Sequence, residues 1–193
     1  MAPEVFPIEI TADRAFVKDV LKALLHAILF HRVFATIRPR DFDVLDTTVS
    51  AIDDTEIDNQ VEEKVNNFAR SIDWANTNKG QIAVMFYEKR PKKGWFGKQE
   101  EEVCWEQWAI TIIGVQPQND RERQKLSKSM EKHLNQCLEK ILRIVNEKKE
   151  HIPPITSNDG NPFPFQVCDP RSGIIARAYL YDWYYLCNIT WGN

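Results

Sequence analysis

Apolar residues recur every three or four positions in three segments, which is the spacing of an amphipathic helix. The first segment begins at Asp13 and ends before Pro39, because proline disfavours helix in the residue that precedes it. The second opens at Asp53, and the third opens at Asn119 or one residue later and continues to about residue 149. In the last two segments an acid stands three residues after the capping position, as in a capping box. The sequence therefore predicts three helices.

Three other segments predict β-strands. Residues 41–50 combine apolar and β-branched side chains. Residues 81–90 are apolar on both faces, which indicates a central strand, and residues 103–116 are its expected partner. In that partner, alternation places two sets of side chains on opposite faces: Trp105, Gln107, Ala109, Thr111 and Ile113 on one, and Cys104, Glu106, Trp108, Ile110 and Ile112 on the other.

The chain beyond the third helix changes character. Five of the ten prolines lie in residues 153–170, which predicts an irregular, extended connection. Residues 174–191 are rich in aromatic and β-branched side chains and predict one or two strands that close the fold. A chain of 193 residues fits one domain, so we expect a single α+β domain over residues 1–193, with 153–193 as its closing segment.

Charge and motif content exclude several classes of function. The 25 Lys and Arg nearly balance the 28 Asp and Glu, so nucleic acid is not an expected partner. The charge is nevertheless divided, because residues 53–73 hold seven acids and two bases, whereas residues 120–150 hold nine bases and six acids. Phosphate-loop, dinucleotide, nucleophile-elbow and metalloprotease motifs are missing, so the sequence predicts no catalytic residue and no cofactor.

The histidines and cysteines also favour a structural role. His26 and His31 are five residues apart and do not share a helical face, and no two cysteines have the spacing of a zinc site, so no metal is expected. The N-terminal residues lack the basic-then-apolar order of a signal peptide, and no apolar run is long enough to span a membrane. We therefore expect a cytoplasmic protein with reduced thiols.

The connection at residues 91–102 is the most unusual segment. Trp95 and Phe96 lie at its centre between two glycines, with lysines around them and three glutamates at the end. Aromatic side chains on a polar, protruding loop usually find a surface in which to bury, and Trp is enriched at binding hot spots. The alternatives are that the loop folds back and the aromatics fill the core of the domain itself, or that the basic, aromatic loop binds an anionic membrane interface.

Three motifs resemble the autophagy-related protein 101 family. They are the run from Leu25 to Arg32 with the sequence LHAILFHR, the run Phe86-Tyr87-Glu88-Lys89 that leads through a basic loop to Trp95-Phe96, and the W-E-x-W core at 105–108. The order of predicted elements also agrees with the family, and the resemblance covers about residues 8–152 and more weakly the rest.

This resemblance implies a HORMA fold, in which three helices pack on one face of an antiparallel sheet and a C-terminal strand segment lies along it. It implies a non-catalytic adaptor of the autophagy-initiation kinase complex, which pairs with the HORMA domain of autophagy-related protein 13 and stabilises it. In that family the exposed Trp-Phe pair recruits downstream factors, so Trp95 and Phe96 are expected to do so here. It also implies recruitment of a cytoplasmic protein to the preautophagosomal structure.

The end of the first helix is the expected surface for the partner HORMA domain. Phe30, Val33 and Phe34 exceed what one core stripe can bury, and His31 and Arg32 could supply polar contacts around an apolar patch. The alternative is that Phe30 and Phe34 pack beneath the aromatic C-terminal strand while the His-Arg pair is solvated.

Overall fold

The computed structural model of the protein describes residues 2–74, 76–94, 97–155 and 160–168. This part of the chain contains two sheets and three helices, with a short 3₁₀ turn at Arg14–Phe16 that leads into the first helix. The strands are β1 (Glu4–Asp13), β2 (Pro39–Val44), β3 (Thr47–Ile52), β4 (Lys79–Gly94), β5 (Gly97–Val115) and β6 (Phe165–Cys168), and the helices are α1 (Val17–Arg32), α2 (Thr55–Ser71) and α3 (Asp120–Glu147).

The larger sheet has the order β1-β5-β4-β6, and it is mainly antiparallel. Strand β4 pairs antiparallel with β5 and β6, whereas β1 runs parallel to β5 along its far side. The prediction that residues 81–90 form a central strand paired with residues 103–116 is confirmed. Strand β1 was not predicted, because its alternating segment precedes the first helix without the turn residues that usually mark a strand.

Helix α1 lies at the centre of the molecule. It packs against the larger sheet through β1 and β5, against α2 and α3, and against the small β2–β3 sheet. Leu21, Leu24 and Leu25 are fully buried, as is His26. A helix that is buried on nearly all sides is apolar on nearly all sides, which explains why its stripe is so broad in the sequence.

The other two helices flank α1 and begin near the predicted positions. Helix α2 packs against β4 and β6, and α3 packs against β1, so they lie toward opposite edges of the sheet. The capping residue of α2 is Asp54 rather than the predicted Asp53, and its carboxylate accepts hydrogen bonds from two backbone N–H groups of the first turn. Asn119 caps α3 by accepting a hydrogen bond from the backbone N–H of Glu122. The carboxylate of Glu122 reaches back as in a capping box, but it accepts from the backbone N–H of Gln118 and the side-chain amide of Asn119.

Two predictions about strands in other regions were wrong. Residues 41–50 form a hairpin rather than one strand, because the chain turns at Leu45, whose φ of 56° lies in the left-handed region. The proline-rich segment 153–170 was expected to be irregular, yet it contains β6, which adds to the edge of β4. Proline is compatible with a strand at its first residue or at an edge, and Pro164 directly precedes this one. The closing strands predicted at 174–191 lie outside the described residues.

Candidate functional site

The connection predicted as a loop at residues 91–102 is an extension of the β4–β5 hairpin. The two strands pair from the core of the sheet out to Gly94 and Gly97, so the predicted loop was wrong for all but its centre. On this extension Arg90, Pro91 and Glu100 are exposed, so it projects beyond the body of the domain. Five residue steps from the Lys89–Glu102 pair to the last pair correspond to about 17 Å.

Residues of opposite charge stand across from each other at two positions near the base of the projecting strands. Lys89 stands across from Glu102, and Arg90 stands across from Glu101. Cross-strand pairs of opposite charge stabilise a two-stranded ladder modestly. Arg90 also donates a hydrogen bond of 2.7 Å to Glu88 on its own strand. The predicted recruitment residues Trp95 and Phe96 lie between the last paired residues and outside the described part of the chain.

The end of α1 carries the predicted partner residues in two different environments. Phe30, His31 and Phe34 are half-buried. The ring of Phe34 meets the ring of Phe163 edge-on at 5.4 Å, and Phe30 meets His31 in the same way at 5.2 Å. Phe30 and Phe34 therefore pack partly against the domain and keep part of their surface open to a partner.

Arg32 differs from its neighbours, because the structure places it inside the domain. Only 2% of its surface is exposed, and its Nε lies 2.9 Å from both carboxylate oxygens of Glu106. Its terminal nitrogen donates a further hydrogen bond of 3.1 Å to the backbone carbonyl of Lys148, just beyond α3. The expectation that Arg32 supplies a surface contact to a partner is therefore wrong. The guanidinium instead links α1, β5 and the end of α3.

Glu106 is the centre of a buried polar cluster that also includes Arg32, Trp108 and His151. Its carboxylate is fully buried, accepts a hydrogen bond of 2.6 Å from the indole of Trp108 and lies 2.7 Å from Nε2 of His151. A β-bulge in β5 lies opposite Phe86, so Trp105 has no single partner on β4. Because of this bulge, the adjacent residues Trp105 and Glu106 are both buried instead of alternating between the two faces of the sheet. Sequence reasoning missed the cluster, although a glutamate on an apolar strand face was the available signal.

The two histidines of α1 are held neutral by their surroundings. Burial, and then the charge of Arg32, lower the pKa of His31 below its ordinary value. Burial lowers the pKa of His26 to about 4, although Asp58, whose carboxylate lies 3.6 Å from Nε2, acts in the opposite direction. Asp58 is itself bound by Arg40 at 2.6 Å. Neither ring nitrogen of His26 has a hydrogen-bond partner among the described residues. Both histidines therefore serve packing rather than charge at neutral pH.

A cavity of about 690 Å³ opens between the base of the hairpin and the segment that follows α3. Glu88, Arg90 and Trp105 line one side, and Lys149 and His151 line the other. Its lining includes both acidic and basic residues. The indole Nε1 of Trp105 has no hydrogen-bond partner among the described residues, and Arg90 is paired with Glu88 at 2.7 Å.

The cysteines of the described residues are free thiols of low reactivity. Burial raises the pKa of Cys104 to about 11 and also raises the pKa values of Cys137 and Cys168, so these side chains are protonated at neutral pH. Across residues 2–74, 76–94, 97–155 and 160–168, no three potential ligands are grouped as a metal site would require. In the same part of the chain, no helix has the length and apolar character needed to cross a membrane.

Three helices on a mainly antiparallel sheet, with a long projecting hairpin, define an α+β protein of the HORMA-like class. The family model described as Autophagy-related protein 101 matches residues 9–159. The chain therefore belongs to the autophagy-related protein 101 family, as its motifs predicted. Membership in this family supports a role in autophagy.

Individual relatives extend the match over most of the chain. Autophagy-related protein 101 of Arabidopsis thaliana is 32% identical over 186 residues, which cover 85% of each chain. The protein of that name in Schizosaccharomyces pombe is 32% identical over 166 residues, or 86% of each chain. The one in Homo sapiens is 23% identical over 192 residues, which cover 90% of this chain and 84% of the relative.

Proposed function

We propose that the protein is a non-catalytic adaptor in the initiation of autophagy, which forms a heterodimer with the HORMA domain of autophagy-related protein 13, stabilises it, and recruits downstream factors through Trp95 and Phe96. The observation that carries this proposal is the projecting β4–β5 hairpin, whose paired strands end on either side of the Trp-Phe pair. A stiff ladder holds the chain on either side of the pair at a distance from the core. Such a projection suits capture of another protein, and it has no evident role in folding the domain.

The family and the site chemistry support the same proposal. The family name suggests an accessory protein of autophagy rather than an enzyme. The thiol of Cys104 is protonated at neutral pH, so it is not an activated nucleophile. An adaptor of this kind would act in the cytoplasm and at the preautophagosomal structure, within the autophagy-initiation kinase complex.

Replacing both aromatic residues at the tip tests the recruiting function. Trp95→Ala with Phe96→Ala should leave thermal stability and co-elution with the partner HORMA domain nearly unchanged, while autophagosome formation in cells falls severely. The reason is that the pair lies beyond the last ladder residues of both strands. Glu100→Ala, at an exposed position on the same hairpin, is the matched control and should be neutral. If the double variant unfolds, the aromatic side chains belong to the core and the recruiting function is wrong.

The half-buried aromatic residues at the end of α1 support the proposed partner surface there. A stable interface buries on the order of 1,200–2,000 Å² in total and is usually centred on aromatic side chains. Phe30→Gln should therefore abolish co-elution with the partner HORMA domain in size-exclusion chromatography, while circular dichroism shows a folded chain. Leu142→Gln is the control, because Leu142 is an equally apolar, 49% exposed residue on α3. If Phe30→Gln co-elutes like the unaltered protein, the interface lies elsewhere.

A further inference from the structure

Four basic side chains form one exposed stripe along the first half of α3. They are Arg121, Lys125, Lys128 and Lys132, all of them exposed. Their spacings of four, three and four residues place them within an arc of about 60° on the helix and over a length of about 16 Å. The stripe stands opposite the buried face of α3, which includes Met130 and Leu134 and faces the domain.

The stripe is not neutralised by the domain itself. None of its four side chains has an ion pair or hydrogen bond among the described residues. Of the nearby acids, Glu122 is engaged by the capping box through its two carboxylate oxygens, and Glu131 lies on the flank of the helix. The stripe ends before Glu139, the first acid that falls within the same arc. A basic surface left unpaired in this way is available to an anionic partner.

The opposite charge lies on the other side of the domain. Helix α2 carries an acidic outer face that includes Glu56, Glu62 and Glu63, and α1 separates it from α3. Although the net charge of the chain is only −3, positive charge is therefore concentrated on the α3 side of the helices and negative charge on the α2 side. A flat anionic surface attracts the α3 side and repels the α2 side, so this arrangement selects one orientation.

We infer that the basic stripe of α3 docks the protein on an anionic lipid bilayer. A charged bilayer satisfies a straight, convex row of bases without a groove or apolar anchors, whereas a protein partner generally buries apolar anchors as well. The four side chains can all reach a plane tangent to one side of the helix. This inference goes beyond the proposed function, because it concerns α3 and not the hairpin tip or the end of α1.

The test is co-sedimentation of the full chain with lipid vesicles. Wild-type protein should bind vesicles of phosphatidylcholine with about one third phosphatidylserine and should not bind pure phosphatidylcholine. Binding should be lost when NaCl rises from about 0.1 M to about 1 M, where the Debye length falls from about 10 Å to about 3 Å. Changing all four stripe residues to Gln should weaken binding at least tenfold, since each base near the surface contributes attraction of similar size.

A charge-matched variant controls for net charge. Arg38→Gln, Arg70→Gln, Lys148→Gln and Lys149→Gln remove four exposed bases outside the stripe and should retain binding within about twofold of wild type. Equal binding by the stripe variant and wild type, or no binding of wild type to anionic vesicles at low salt, would overturn the inference. So would binding to soluble poly-glutamate without binding to vesicles, which would indicate an acidic protein segment as the partner.

A further variant, Trp95→Ala with Phe96→Ala, separates this inference from the proposed function. This variant should keep its binding to vesicles, because the stripe is intact. If it loses that binding while the stripe variant keeps it, the hairpin tip is the membrane contact and the inference about α3 is wrong. If the stripe variant alone loses binding, the inference stands whether or not the tip recruits other factors.

Discussion

Arg32→Met is expected to destabilise the domain by about 3–5 kcal/mol, a large fraction of the stability of an ordinary domain. The substitution removes the guanidinium from the fully buried carboxylate of Glu106, which keeps its contacts with Trp108 and His151, while the new side chain fills a similar volume. Removing one member of a buried ion pair is costly because the remaining charge has lost both its partner and its solvent. Urea unfolding followed by tryptophan fluorescence measures the effect.

Arg38→Met is the matched control for this measurement. Arg38 is an exposed arginine six residues along the chain, and its substitution should change the free energy of unfolding by less than about 0.5 kcal/mol. The double substitution Arg32→Met with Glu106→Leu should recover at least about 1 kcal/mol relative to Arg32→Met alone, because no unpaired charge then remains. A loss below about 1 kcal/mol in Arg32→Met would show that the pair is not essential to the fold.

This buried pair also changes how the end of α1 can be tested. A charge reversal at Arg32 would place a second carboxylate beside Glu106 and unfold the domain, so a loss of partner binding would carry no information about the surface. Phe30 does not have this problem, since it keeps part of its surface open. The two residues are two positions apart on one helix, yet one belongs to the core and the other borders the solvent.

The parts of the fold that depend on periodicity were predictable from the sequence. Helices α2 and α3 and the central β4–β5 pair have clear apolar spacing and recognisable caps. Strands β1 and β6 were missed because their pairing depends on distant residues: β1 joins β5, about 100 positions away in the sequence, and β6 joins β4. A strand that is defined mainly by the edge it meets leaves only a weak local pattern.

The sequence identified which segments form the candidate site, but it did not predict how their residues pair in space. The connection at 91–102 was recognised, but a count of loop-forming residues does not reveal that its two halves pair as strands out to Gly94 and Gly97. Alternation correctly grouped Glu106 with the buried Trp108, Ile110 and Ile112, whereas the β-bulge at Trp105 separates Cys104 from that face. No local pattern identifies which of the 25 Lys and Arg is the partner of Glu106, because its pairing with Arg32 is set by tertiary packing.

Stability is expected to fall by about 2 kcal/mol between pH 7.5 and pH 5 through His26 alone. Burial holds the pKa of this histidine at about 4 in the folded protein, whereas its ordinary value is 6.5. The unfolded chain therefore binds a proton first as the pH falls, so folding loses stability from about pH 6.5 downward until the folded pKa is reached. Asp58 and Glu62 on α2 favour the charged ring, and Arg40 and Lys22 oppose it, but desolvation is the largest cause.

His26→Leu isolates this contribution, because it fills the site without a titratable group. The difference in unfolding free energy between wild type and His26→Leu, measured by urea titration at several pH values, should shift by about 2 kcal/mol in favour of the variant between pH 7.5 and pH 5. The remaining titratable groups are present in both proteins, so their contributions to the unfolding free energy cancel in this difference. Parallel curves for wild type and His26→Leu would mean that the imidazole is charged and accommodated inside the folded domain, with Asp58 as its partner.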